Sequence, residues 1–156
     1  MNRTIAGLAL LALTTAHCNW ITFNDLSGTE WLCADIGEKE KSAALEFPDL
    51  SQKGSENYYR ETYDRFGFFE SFDAKTGESL MDEEVLKMRW KLTKNESGQR
   101  VLYIYVFTDG RWTTDEEAEP PYIVKELTED RYHTVFEHTW EDGYTEYHEA
   151  RCIRLD

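Results

Sequence analysis

The sequence predicts an all-β, antiparallel fold of about eight strands, on three observations. Short stretches rich in β-branched and aromatic residues recur along the chain, turn residues separate them, and no long stretch carries helical periodicity. Parallel strands need long crossover connections, usually helical, and the spacing here leaves no room for them. A sandwich and a barrel both satisfy this pattern. With 156 residues the chain suits one domain with a sizeable core.

Taken in order, residues 1–16 are expected to be an export signal. Arg3 supplies a positive start, Ile5 to Leu13 is a nearly unbroken apolar run, and Thr14 and Ala16 are small residues suited to a cleavage site. The run is too short for a membrane-spanning helix. Residues 17–25 read as a polar tether, and residues 26–156 as the folded domain. Cys18 is a lipidation candidate, because "LALTTAHC" resembles a bacterial lipobox, with His17 and Thr15 as departures from it. A lipid there would be the only membrane attachment expected. Without it the chain would be a soluble exported or periplasmic protein.

The strand signals begin at Leu26. A short one covers Ala43 to Phe47, and Asn57 to Asp64 and Phe66 to Asp73 are rich in Tyr and Phe. Ser79 to Lys87 has room for one or two helical turns. In "KMRWKLT", Met88, Trp90 and Leu92 alternate with charged and polar residues, the period of a strand with one buried face. After a turn at Asn95 to Gly98, "RVLYIYVF" is apolar on both faces. Tyr122 to Leu127, Arg131 to Trp140 and Tyr144 to Leu155 complete the set. Turns are expected at Lys75-Thr76-Gly77, Thr108-Asp109-Gly110, Thr128-Glu129-Asp130 and Glu141-Asp142-Gly143.

The formal net charge of −14, about −15 once Arg3 is cleaved away, argues against nucleic acid as a partner. It would suit a cationic protein, although scattered acids serve solubility equally well. Asp115 to Pro121 is the one dense acidic run, read as a solvated loop stiffened by Pro120 and Pro121.

In "LSGTEWLC", Leu26, Gly28 and Trp31 resemble the first-strand signature of lipocalin-like proteins. The later phrase "ELTEDRY", Glu126 to Tyr132, is similar to the opening of the last hairpin in lipocalin-like bacterial envelope proteins. Two residues separate Gly28 from Trp31 where lipocalins have one, a spacing shared with META-type envelope domains. The resemblance implies an up-and-down barrel whose first and last strands meet, with Trp31 plugging its base. Cys33 would lie in the first strand and Cys152 in the last. Exported chains tend to pair their cysteines, so a Cys33–Cys152 disulfide tying the barrel ends is expected.

No nucleophile–base pair, phosphate-binding loop or Cys-x-x-Cys is visible, so a non-catalytic protein without a cofactor is expected. The final hairpin holds His133, His138 and His148 among several glutamates. If residues 141–143 form a three-residue loop, His138, Glu146 and His148 share a face and make a weak metal candidate. A two-residue turn at Asp142-Gly143 would part His138 from the others. The aromatics offer the more general site. Trp31, Tyr59, Tyr63, Phe68, Trp90, Tyr103 and Tyr105 are candidates to line a cavity for a small hydrophobic ligand, with Arg60 fixing its polar end. The same side chains could instead fill the barrel.

Overall fold

The computed structural model describes residues 26–37 and 45–155. The expected signal peptide and tether, Cys18 and the start of the expected strand at residues 43–47 lie outside them. Residues 45–47 are not strand.

Nine antiparallel strands form one sheet: β1 (Thr29–Gly37), β2 (Tyr59–Tyr63), β3 (Phe68–Asp73), β4 (Lys87–Lys94), β5 (Arg100–Thr108), β6 (Arg111–Trp112), β7 (Tyr122–Leu127), β8 (Arg131–Thr139) and β9 (Thr145–Leu155). Their order is β4-β3-β2-β1-β9-β8-β7-β5, and a further β4–β5 pairing closes the sheet on itself. The result is an eight-stranded up-and-down barrel, with the two-residue β6 appended to one end of β5. Closure gives each of these eight strands a hydrogen-bonded neighbour on both sides. The pairing is thinnest where β3 meets β4 and where β5 meets β7, with two residue pairs at each.

The pleat decides which side chains enter. In β4 the alternation expected from Met88, Trp90 and Leu92 holds, and all three pack toward the core. The one or two helical turns for which Ser79 to Lys87 has room do not form. Ser79 instead bridges to Phe72, and Asp82 holds a turn by accepting the Glu84 amide at 3.0 Å. That local side-chain bond competes with helix formation.

The base of the barrel is tightly filled. Leu26 and Trp31 are fully buried, with Tyr63, Phe69, Leu102, Leu127 and Tyr132 around them. The Trp31 ring lies 5.6 Å from that of Tyr132, and Tyr63 meets Phe69 and Trp90 at 5.1 and 5.8 Å. The Trp31 indole N–H donates to Thr29 Oγ1 at 2.7 Å, and the Thr29 hydroxyl donates to the Leu26 carbonyl. The polar atoms of the plug are thus paired within the plug. Gly28 makes the entry turn at φ +71°, donating its amide to the Tyr63 carbonyl at 2.6 Å. A Cβ there would meet the Arg65 side chain at 3.1 Å, so both conformation and space favour glycine.

Cys33 and Cys152 stand opposite one another in the β1–β9 pairing and form a disulfide across it, S–S 2.09 Å. The bridge is fully buried and spans 119 residues of sequence. On the outside, Phe47 lies against the Arg131 and Arg151 guanidiniums, 5.0 and 5.5 Å from its ring centre.

Candidate functional site

Above the plugged base the barrel interior opens into a cavity of about 420 Å³. That volume is in the range of small-molecule sites. Phe69 from β3, Met88 from β4, and Leu102, Ile104 and Val106 from β5 give it an apolar wall. Facing them are Asp35 of β1, Tyr59, Glu61 and Tyr63 of β2, Tyr122 of β7, Tyr132 and Thr134 of β8, and His148 of β9. The acidic run lies at the mouth, where Glu117, Ala118, Glu119 and Pro120 join the lining. It is held there by Glu117, which accepts two hydrogen bonds from the Arg111 guanidinium, at 2.7 and 2.8 Å, and a third from the Thr114 amide. The Arg111 hydrogen bonds and the Thr114 amide hold the Glu117 carboxyl down at about 2.

Glu61 is the central polar group. It sits beside Trp31 in the β1–β2 register and accepts a hydrogen bond from the Tyr63 hydroxyl at 2.8 Å. The Tyr63 hydroxyl also lies 3.4 Å from that of Tyr132. Burial pushes the Glu61 carboxyl from 4.5 up to about 7, a rise moderated by the hydroxyls of Tyr63 and Tyr59 and reinforced by the charge of Asp35. Its residual exposure is to the cavity. Burial, together with the Glu61 charge, pushes the phenols of Tyr59, Tyr63 and Tyr132 well above their ordinary value. Tyr122 is pushed up to about 12 for the same two reasons.

The aromatic candidates divide by pleat. Tyr59 and Tyr63 line the cavity, whereas Trp31 and Trp90 point inward but are absorbed into the packed core below it. Trp90 keeps a buried indole N–H with no hydrogen-bond partner among the described residues. Arg60, Phe68, Tyr103 and Tyr105 lie outside, contrary to expectation, because each is one residue out of phase with an inward neighbour. Arg60 pairs with Glu30 at 2.9 Å and lies over the Phe72 ring. Phe68 packs with Trp112, and Arg89 lies over both rings. Tyr103 and Tyr105 stack on each other, and the Tyr105 hydroxyl donates to Asp115 at 2.6 Å. The charged groups that face the cavity are therefore carboxylates such as Glu61 and Asp35, not Arg60.

In the final hairpin the loop is the three-residue one. Gly143 has φ +84°, the Trp140 amide donates to the Tyr144 carbonyl, and His138 stands opposite Glu146. His138, Glu146 and His148 consequently share a face, but they do not gather as a metal site. His148 Nε2 lies 3.0 Å from Glu146, while the His138 ring turns to Trp140 at 4.5 Å. His133 is on the outer face, 3.0 Å from Glu149, which also accepts from Tyr147 and Arg151. Among the described residues, Cys33, Glu61 and Cys152 alone bring their ligand atoms within 4.8 Å of one another. With both sulfurs in the disulfide, they offer no thiolate to a metal.

A closed, eight-stranded, antiparallel up-and-down barrel enclosing a cavity is compatible with the lipocalin-like class of fold. No protein-family model matches the chain, and no curated protein matches it.

Glu61 should govern the pH dependence of stability. Its carboxyl is raised on folding, so its stabilising contribution is fully present below about pH 4.5 and is lost as the pH rises through about 7. The full shift corresponds to about 3 kcal/mol, and solvent reaching the cavity reduces it to ~2. Glu61→Gln should therefore stabilise the protein by ~2 kcal/mol at pH 8 and flatten the decline between pH 5 and 7. Urea midpoints across that range read both effects. Parallel profiles for the two proteins would reject this role for Glu61.

Proposed function

We propose that the chain is a non-catalytic, lipocalin-like binding protein that carries a small, largely apolar ligand in its barrel. The cavity carries this reading: about 420 Å³, one wall of aliphatic side chains and Phe69, the other of tyrosines and carboxylates. Apolar volume supplies affinity, and a few fixed polar groups supply orientation. The closed barrel and buried disulfide hold those groups on rigid strands, so little ordering is required on binding. The bridge also accords with export into an oxidising compartment, the context in which such bonds persist.

The test is binding of a neutral apolar dye, N-phenyl-1-naphthylamine, followed by its fluorescence. One-to-one uptake by the protein is expected. Ala150→Phe, which projects a ring into the cavity from β9, should weaken uptake at least tenfold while leaving the circular dichroism unchanged. Uptake that is absent, or indifferent to Ala150→Phe, would remove the cavity from consideration as the binding site.

A further inference from the structure

We infer that the ligand of this cavity combines an apolar body with a cationic end, an ammonium group, seated between Glu61 and Asp35. The inference rests on the cavity being a binding site and specifies what it selects. Its ground is a charge imbalance in the cavity lining, where Glu61 is partly buried and Asp35 is exposed. The lining contains four carboxylates, Asp35, Glu61, Glu117 and Glu119, and neither lysine nor arginine. Glu117 is already satisfied by Arg111, and the one lining histidine, His148, has Glu146 beside it at 3.0 Å. Arg60, the cation nearest in sequence to Glu61, is turned outward to Glu30.

Glu61 and Asp35 therefore face the cavity with no cationic side chain among the described residues to balance them. A partly buried charge such as that of Glu61 is ordinarily paired, and here the space beside it is open. An ammonium placed there would accept the role of counter-ion. It would also lie among the rings of Tyr59, Tyr63, Tyr122 and Tyr132, whose faces attract cations. The aliphatic wall from β4 and β5 would receive the apolar body. A ligand with a carboxylate head would instead bring like charge against Glu61 and lose its hydration with no donor cation in return.

The experiment compares three probes of one shape, 2-phenylethylammonium, 2-phenylethanol and 3-phenylpropanoate, by displacement of N-phenyl-1-naphthylamine at pH 8. The ammonium should bind at least tenfold tighter than the alcohol, and the carboxylate weakest. Because the whole protein is acidic, the source of the preference must be located. Glu61→Gln and Asp35→Asn should each reduce it at least threefold, and together abolish it, while binding of the alcohol persists. Glu96→Gln, in the exposed turn after β4, should leave it intact. If the dye binds but the ammonium is not preferred, or the preference survives both cavity substitutions, the cationic ligand is excluded and the binding cavity stands. If the dye itself fails to bind, both readings fall.

Discussion

Replacing both Cys33 and Cys152 with alanine should lower the unfolding free energy by about 5 kcal/mol, the chain-entropy value for a loop of this span. The bridge closes 119 residues, nearly the whole described barrel, and joins the two strands that chain connectivity leaves unconnected. All other neighbouring strand pairs around the barrel are consecutive or separated only by the short β6. A loss of that size is a large part of the stability of an ordinary domain. Urea unfolding of the double variant, with circular dichroism to confirm an unchanged native sheet, measures it. A difference under about 1 kcal/mol would mean that backbone pairing of β1 with β9 suffices without the bond.

Trp31→Ala is expected to cost about 4 kcal/mol, at the upper end for a single core truncation. The indole is fully buried, packs on Tyr132, and supports the hydrogen-bonded chain through Thr29 to the Leu26 carbonyl. Its removal leaves a void at the base that the closed barrel cannot collapse to fill. Trp31→Phe should lose markedly less, because it retains an aromatic body and forfeits mainly the N–H. Equilibrium unfolding of the two variants distinguishes these contributions. Equal losses would show that the hydrogen bond, and not the volume, secures the plug.

Much of this architecture is legible in the residues because the signals are local. Asp142-Gly143 marks the final hairpin, and the alternation of Met88, Trp90 and Leu92 reports a one-sided strand. The Cys33–Cys152 pair follows once the first and last strands are neighbours. The site was harder to read. Around β5 both faces are apolar, so nothing local decides whether Leu102, Ile104 and Val106 or Tyr103 and Tyr105 face inward; barrel closure against β4 decides it. Glu61 had a signal available, since it shares the parity of Tyr59 and Tyr63, two expected lining residues. A carboxylate at an inward position runs against burial tendencies, and such conflicts between local preference and fold mark functional positions. The two-residue β6 and the placement of the acidic run at the mouth depend on contacts such as Arg111 with Glu117, which periodicity does not encode.

The position of the disulfide also determines how the barrel would respond to mechanical load. Leu155 lies beside Glu30, so the two ends of the barrel chain leave from the same rim. Tension between them would unzip Glu30 from Leu155, Trp31 from Arg154 and Leu32 from Ile153, and would then arrive at Cys33–Cys152. Beyond that point the pull passes through a covalent bond, and the cavity-lining residues of these two strands, Asp35, His148 and Ala150, lie past it, outside the path of the force.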